Sequence, residues 1–202
     1  MIKAIIFDFG RVISAQKPPS LFRGYEEDLG LEPGTLNQIM FGSEDWQEAL
    51  VGRKTIEDFW YAIGPELGLN NEKEIDSFRH RYLADEEVNK GVFDLIQRLH
   101  GKYKLAVLSN APPGLSQWLA DWKMLDLFDT VFCSGEEGVV KPDPAAFEII
   151  LERLDLEPNE AVFIDDTLEH VKASREIGLH GILFTTAEAL EKELAPLLRK
   201  DY

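Results

Sequence analysis

The sequence predicts an α/β protein with a doubly wound parallel sheet and an all-helical segment inserted after the first strand. Three observations indicate this fold. Five short apolar segments have the composition of strands, helical segments separate the last four of them, and residues 14–87, between the first two, contain no convincing strand. Continuous apolar runs of this length suit strands that are buried on both faces, as in parallel sheets. Strands and helices that alternate at this spacing favour right-handed βαβ units.

The first predicted strand is the apolar segment Ala4–Phe7, which ends at the charged residue Asp8. The other four predicted strands are similarly short and apolar. They are YKLAVLS from Tyr103, DTVFCS from Asp129, EAVFIDD from Glu160 and HGILFTT from His180.

Helices are predicted between these later strands, over residues 113–123, 143–154 and 167–177. The second has the clearest start signal, because Asp143 can cap its first turn and Pro144 suits the first helical position. Helices of this kind cover both faces of a doubly wound sheet.

Residues 14–87 show an apolar period near 3.6, which predicts helices. Ser43 is a candidate cap for EDWQEALVGR, and Thr55 is a candidate cap for a helix that ends at Gly64 or Gly68. The predicted division is therefore a core domain of residues 1–13 plus 88–202 and a helical domain of residues 14–87.

Proline and polar residues mark two candidate hinges between these domains. One contains Pro18 and Pro19, and the other is the ADEEVNKG segment, residues 84–91. No internal repeat and no low-complexity tract is visible in the sequence.

Composition limits the classes of function. Hydrophobic residues make up 45% and charged residues 29% of the 202 residues, which is typical of a globular protein with a sizeable core. The formal net charge of −16 disfavours nucleic acid and acidic lipid as partners. We expect no membrane span and no secretory signal, because no long apolar segment is present. The lone Cys133 excludes an internal disulfide and a cysteine zinc cluster, so we expect a cytoplasmic protein.

Polar residues follow the predicted strands at the edge where ligands bind doubly wound sheets. Taken singly, each is consistent with a turn, a helix cap or a solvated side chain. Together, converging carboxylates require a cation, and Mg²⁺ prefers oxygen ligands. A lysine and a metal would let such a site attract phosphate despite the negative charge of the chain. The candidate residues are Asp8, Ser109, Asn110, Lys141, Asp165 and Asp166.

Four segments in this order resemble the motifs of the haloacid dehalogenase-like (HAD) hydrolases. They are FDFGRVI from Phe7, VLSNA from Val107, VVKPDPAAFEI from Val139 and FIDDTLEHV from Phe163. The resemblance covers nearly the whole chain and implies a Rossmann-like core, with residues 14–87 as its cap domain. The cap segment WQEALVGRKTIEDFW is similar to a sequence pattern of one branch of the family. This branch includes small sugar-phosphate phosphatases and the phosphatase-like domain of epoxide hydrolases.

The resemblance implies a Mg²⁺-dependent phosphatase for a small phosphorylated metabolite, with a sugar phosphate as one candidate. Asp8 would form an aspartyl-phosphate, and Lys141 would neutralise Asp8 and the phosphoryl oxygens. The implied phosphoryl ligands are the Phe9 and Gly10 backbone N–H groups, Ser109, Asn110 and Lys141. The implied metal ligands are Asp8, the Gly10 carbonyl, Asp166, and Asp165 directly or through water.

The sequence departs from the family pattern beside Asp8. Phosphatases of the family usually carry an acid-base Asp where this chain has Gly10, although glycine keeps the backbone carbonyl that binds metal. Val12 replaces a common Thr, and His170 replaces an Asn of related members. Arg11 and His170 are open candidates for a role in the site.

The sequence is also compatible with two other functions. The first is a binding protein that has lost turnover, which Gly10 favours. The second is a 2-haloacid dehalogenase, which works without metal and has little use for Asp165 and Asp166. Substrate identity and oligomeric state are left open by the sequence. The candidate residues for selectivity in the cap are Arg23, Trp46, Arg53, Trp60 and Tyr61, of which the three aromatic residues equally suit the core of the cap.

Overall fold

The computed structural model describes residues 1–198, and five parallel strands form one sheet in this part of the chain. The strands lie in the order β3-β2-β1-β4-β5, so the chain starts at the centre of the sheet and winds to both sides. This confirms the predicted fold class. The strands are β1, Ala4–Phe7; β2, Lys104–Ser109; β3, Thr130–Cys133; β4, Ala161–Asp165; and β5, His180–Leu183.

Helices fill the inserted segment and connect the strands. Those between β1 and β2 are α1, Pro19–Leu29; α2, Thr35–Gly42; α3, Glu44–Leu50; α4, Ile56–Ile63; α5, Glu72–Ala84; and α6, Lys90–Leu99. Those after β2 are α7, Leu115–Asp121; α8, Ser134–Glu137; α9, Pro144–Leu154; α10, Leu168–Glu176; and α11, Ala187–Leu194. Within residues 1–198, no helix combines the length and the apolar character that a membrane crossing needs.

The sheet is buried on both faces, as the continuous apolar strands predict. Side chains of β1 alternate between the faces, so Ile5 and Phe7 join the cluster under α6, α7 and α11. Ala4 and Ile6 join the opposite cluster, which includes Phe147 of α9. Helices on both faces make the core doubly wound.

The register of the sheet brings the ends of three strands together. Phe7 of β1 pairs with Val107 of β2 on one side and with Ile164 of β4 on the other. The Asp8 N–H continues the ladder and donates to the Ile164 carbonyl at 2.8 Å. The residues that follow these strands therefore lie at one edge of the sheet.

The inserted helices have an apolar core of their own, which includes Tyr25, Leu36 and Trp60. Both predicted caps are present. Ser43 Oγ accepts a hydrogen bond from the Trp46 N–H, and Thr55 forms a reciprocal capping box with Asp58. Gly64, one of the two predicted ends, is the C-cap of α4, and Gly68 is the C-cap of the short 3₁₀ helix that follows.

The two segments that join this insert to the sheet lie side by side. Ser14 and Val88 form an antiparallel bridge, and the Ala15 N–H donates to the Glu87 carbonyl at 2.7 Å. Lys17 is buried at the start of the insert and pairs with Glu86 at 2.6 Å. These contacts fit the predicted hinges, while the division into two domains stays a prediction.

Candidate active site

Asp8 directly follows β1 and is only 6% exposed although it carries a carboxylate. Its partner comes from the loop between α8 and α9, where Lys141 lies in a turn. Lys141 Nζ donates to Asp8 Oδ1 at 2.7 Å and to Asp165 Oδ2 at 2.6 Å. One buried ammonium therefore joins the carboxylates that end β1 and β4.

The electrostatics of this group are set by burial and by Lys141. Burial raises the pKa of Asp8 to about 6, although the Lys141 ammonium acts in the opposite direction. Burial also opposes ionisation of Asp165, but hydrogen bonding to His170 and the charge of Lys141 outweigh it and lower the pKa of Asp165. The pKa of Lys141 is raised, because the two carboxylates outweigh the effect of burial. Lys141 is therefore charged at neutral pH.

Asp166 adds a third carboxylate to the group. One ligand oxygen from each of Asp8, Asp165 and Asp166 lies within 4.8 Å of the others, a spacing that suits a shared metal ion. Burial raises the pKa of Asp166, and the Arg11 guanidinium limits the rise. Arg11 Nε lies 2.8 Å from Asp166 Oδ2, while the Arg11 side chain stays 59% exposed.

The turn that follows Asp8 determines what faces its carboxylate. Gly10 has φ −65°, a conformation open to any residue, and a Cβ added there would lie 3.8 Å from Asp8 Oδ2. Arg11 has φ 58°, in the left-handed region, and its N–H donates to Ser14 Oγ at 3.1 Å. The Phe9 ring points into the core and stacks on Trp122. There is space for a side chain at position 10, and the sequence leaves it empty.

The end of β2 supplies Ser109 and Asn110. Ser109 is 3% exposed. The Asn110 side chain meets the backbone of Lys141 twice, because Oδ1 accepts from the Lys141 N–H at 2.8 Å and Nδ2 donates to the Lys141 carbonyl at 2.9 Å. The structure thus brings together the side chains of Asp8, Lys141, Asp165 and Asp166. It joins Asn110 to the Lys141 backbone and places Ser109 next to Asn110 at the end of β2.

Two of the open candidates prove to contact acidic residues of the site, Arg11 at Asp166 and His170 at Asp165. His170 Nδ1 lies 3.0 Å from Asp165 Oδ2, and His170 belongs to the first turn of α10. Val12 has no exposed surface and belongs to the core.

Part of the insert lies against the core near this edge. Gly52, in the turn between α3 and α4, has φ 74°, and a Cβ there would meet the Gly135 carbonyl oxygen at 2.1 Å. Gly135 is itself packed against Pro113, in the loop that follows Asn110. The insert therefore contacts α8, which in turn packs against the loop that follows β2.

The cap residues considered for selectivity have different environments. Trp60 is buried in the insert core, and Trp46 packs on Phe59. Arg23 and Arg53 are exposed, and the Tyr61 hydroxyl donates to Asp76, which lies on the insert itself. The two tryptophans thus serve the packing of the insert.

The arrangement of Asp8, Lys141 and Asp166 agrees with the motif resemblance. Comparison with known families shows which family the chain belongs to. Residues 2–178 match the haloacid dehalogenase-like hydrolase family. The chain belongs to this family of hydrolases. As a HAD-like hydrolase, it has its family motifs at the carboxyl ends of β1, β2 and β4 and in the loop before α9.

Two curated relatives of this HAD-like hydrolase are named as phosphatases. The chain is 29% identical to the sesquiterpene phosphatase astK of Aspergillus oryzae, over 97% of this chain and 96% of the relative. It is 26% identical to the D-ribitol-5-phosphate phosphatase of Bacteroides thetaiotaomicron, over 88% and 89%. Three longer relatives are covered over only 19%, 36% and 38% of their length.

The fold has close counterparts among solved structures. A HAD-family enzyme of Bacteroides thetaiotaomicron, solved in complex with magnesium and inorganic phosphate, superposes with a TM-score of 0.73 at 21% identity. The match covers 92% of this chain and 96% of that one. The likeness extends over the insert as well as the sheet.

Proposed function

We propose that this HAD-like hydrolase is a Mg²⁺-dependent phosphatase that hydrolyses a small phosphorylated metabolite through an aspartyl-phosphate on Asp8. The observation that carries the proposal is the buried Lys141 Nζ, 2.7 Å from Asp8 Oδ1, beside a cluster of three carboxylates. Lys141 and Arg11 supply two positive charges against three carboxylates, so the cluster stays negative and suits a divalent cation and, through that cation, a phosphate.

The proposed metal ligands are Asp8, the Gly10 carbonyl and Asp166, with Asp165 beside them. Both Asp165 oxygens already accept hydrogen bonds, Oδ2 from Lys141 and Oδ1 from the Thr167 N–H at 2.8 Å. The Asp166 oxygens have comparable partners, Arg11 at Oδ2 and the Thr167 hydroxyl at Oδ1, so we assign Asp165 a contact with the metal directly or through water. When bound, Mg²⁺ would neutralise negative charge on the phosphoryl oxygens as the reaction proceeds.

In the proposed reaction, Asp8 Oδ2 attacks phosphorus, because Lys141 occupies Oδ1. A bond forms between Asp8 and phosphorus while the bond from phosphorus to the leaving oxygen breaks. The phosphoryl oxygens would be held by Lys141, the Ser109 hydroxyl and the backbone N–H groups of Phe9, Gly10 and Asn110, because the Asn110 side chain is bonded to the Lys141 backbone. Water then hydrolyses the aspartyl-phosphate and releases orthophosphate. With no side chain at Gly10, the leaving oxygen takes its proton from water or departs as an anion.

The proposed substrate is a small phosphorylated metabolite, with a sugar phosphate as one candidate. The names of the relatives support a phosphate group and differ in the remainder of the molecule, one being a sesquiterpene and one a ribitol phosphate phosphatase. We assign substrate choice to the insert that contacts the core at Gly135. A cytoplasmic location is proposed because the only cysteine, Cys133, cannot form an internal disulfide.

The proposal is tested with purified protein and a broad panel of phosphorylated metabolites, measuring orthophosphate release with Mg²⁺ and with a chelator. We expect release from at least one substrate with Mg²⁺ and at least a hundredfold less with chelator. No release from any member of the panel would refute the proposed function. Chloride release from 2-chloropropionate in the presence of chelator would instead show a dehalogenase.

A binding protein without turnover is the second candidate, and Gly10 is the observation that favours it. The metal and phosphate ligands would remain, while the side chain that usually transfers protons is missing. Calorimetric titration with Mg²⁺ and orthophosphate separates the two functions. Binding of both without hydrolysis of any substrate in the panel would establish the second candidate.

A further inference from the structure

Lys141 is placed by its backbone as well as by its ammonium group. Its turn lies outside the strands and helices, so no sheet or helix ladder supplies hydrogen bonds to its N–H and carbonyl. The Asn110 amide supplies both, at 2.8 and 2.9 Å. These two contacts join the end of β2 to the loop before α9 across 31 positions of the chain.

We propose that Asn110 is a positioning residue that acts through Lys141, with its side-chain amide committed to the Lys141 backbone rather than to the substrate. Each polar atom of the amide has one Lys141 partner, and the pairing fixes its orientation, because only Oδ1 can accept from the N–H. A lysine side chain has four rotatable bonds, so the Nζ position depends on a fixed backbone. This inference rests on the proposed function only where it predicts that Asn110 affects the affinity for orthophosphate.

The geometry explains why the two hydrogen bonds from Asn110 to the Lys141 backbone, here called the clamp, matter. Lys141 Nζ must reach two carboxylates on different strands, Asp8 of the β1 end at 2.7 Å and Asp165 of β4 at 2.6 Å. Ser109 and Asn110 follow one another at the end of β2, so a shift of this strand end moves the lysine loop with it. Asn110 thereby couples the position of the β2 end to the charge beside Asp8.

A double-mutant cycle tests the clamp, because residues that act through one another are not additive. Orthophosphate affinity in the presence of Mg²⁺ is measured by calorimetry for wild type, Asn110→Ala, Lys141→Ala and the double variant. We expect Asn110→Ala to weaken orthophosphate binding about tenfold when Lys141 is present and less than about twofold in the Lys141→Ala background. Equal factors in both backgrounds would overturn the proposal, since Asn110 would then act independently of Lys141.

A second measurement does not depend on phosphate binding and so separates failure of the clamp from failure of the proposed function. The ammonium group of Lys141 is buried, and its N–H protons should give a protected NMR signal, assigned by its loss in Lys141→Ala. We expect Asn110→Ala to shift this signal and speed its hydrogen exchange at least tenfold, and Asn110→Asp, which keeps the acceptor, to do so less.

Asn71→Ala serves as the matched control, because it removes an asparagine that bonds only the backbone of a distant helix, at Glu74. It should leave both the Lys141 signal and orthophosphate affinity unchanged. An unchanged Lys141 NMR signal in Asn110→Ala would overturn the proposal, whatever the orthophosphate affinity of that variant.

Discussion

Lys141 Nζ lies 2.7 Å from Asp8 Oδ1, although 133 positions of the chain separate the two residues. Both side chains are buried, and the same ammonium also contacts Asp165. A buried carboxylate is costly unless it is paired, so this contact is what allows Asp8 to occupy the end of β1 as an anion. The stability of the core and the proposed chemistry both depend on it.

Replacing Lys141 should therefore destabilise the protein strongly. Lys141→Met keeps much of the volume but leaves Asp8 and Asp165 without a buried cation, and we expect a loss of about 3–5 kcal/mol in the free energy of unfolding at pH 7. Urea unfolding measures it. Lys3→Met is the control, because it removes a lysine that is paired with Glu160 and is 53% exposed, for which at most about 1 kcal/mol is expected. Equal effects of the two substitutions would contradict the assigned role of Lys141.

The raised pKa of Asp8 predicts a dependence of stability on pH in the metal-free protein. The folded state holds the Asp8 proton up to about pH 6, whereas the ordinary pKa is 3.8. Since the folded state binds this proton more tightly, stability falls as pH rises from 4 to 6 and the loss is complete above that range. Asp8→Asn removes this titration. Relative to Asp8→Asn, the wild type should lose on the order of 2–3 kcal/mol across this range.

Urea unfolding of the two proteins at a series of pH values in chelator measures this difference. Groups distant from Asp8 titrate alike in both proteins and cancel in the comparison. A difference that stays constant between pH 3 and pH 8, or one that grows in favour of the wild type as pH rises, would contradict the shifted Asp8 pKa.

The empty space at Gly10 predicts a gain of function. Its backbone conformation suits any residue, and a Cβ there lies at an ordinary 3.8 Å from Asp8 Oδ2. Gly10→Asp should supply a general acid and raise kcat on alkyl phosphates on the order of a hundredfold or more. Aryl phosphates with acidic leaving groups need no such proton and should gain little. Gly10→Asn, which cannot transfer the proton, is the matched control, and equal rates for the two variants would contradict this account.

The contact of the insert with the core predicts a difference between two glycines. Gly30 and Gly52 have similar φ values, 68° and 74°, but only a Cβ at Gly52 would meet a backbone atom, the Gly135 oxygen at 2.1 Å. Gly30→Ala should cost about 1–2 kcal/mol for the left-handed conformation alone. Gly52→Ala should cost about 1–3 kcal/mol more and should also raise KM, because the insert is displaced. An unchanged KM would show that this contact has no role in substrate binding.

Much of the fold was predictable because the signals are local. The apolar segments around Val107 and Phe163 became buried strands, and Ser43 and Thr55 cap helices as their sequence contexts indicate. The ends of the helices were predicted less well. The helix predicted over residues 113–123 runs only from Leu115 to Asp121, since Gly114 adopts φ 109° and Pro113 packs on Gly135.

The candidate site was predictable as a set of residues but not as a set of contacts. Parallel strands bring their carboxyl ends together, so Asp8 and Asp166 could be placed near each other from topology alone. The pairing of Arg11 with Asp166 and of Asn110 with the Lys141 backbone depends on turns whose dihedral angles no residue pattern specifies. The left-handed turn at Arg11 and the position of the loop before α9 determine which partners Arg11 and Asn110 contact.

The most direct test of the central claim is covalent labelling of Asp8 during turnover. Wild type and Asp8→Asn are mixed with a radiolabelled substrate identified in the panel, quenched with acid within the first turnover, digested and mapped by mass spectrometry. We predict phosphate on the peptide that contains Asp8 in the wild type, removed by hydroxylamine as an acyl phosphate is, and neither label nor turnover in Asp8→Asn. Turnover that persists in Asp8→Asn, or label on another residue, would contradict the nucleophilic role of Asp8.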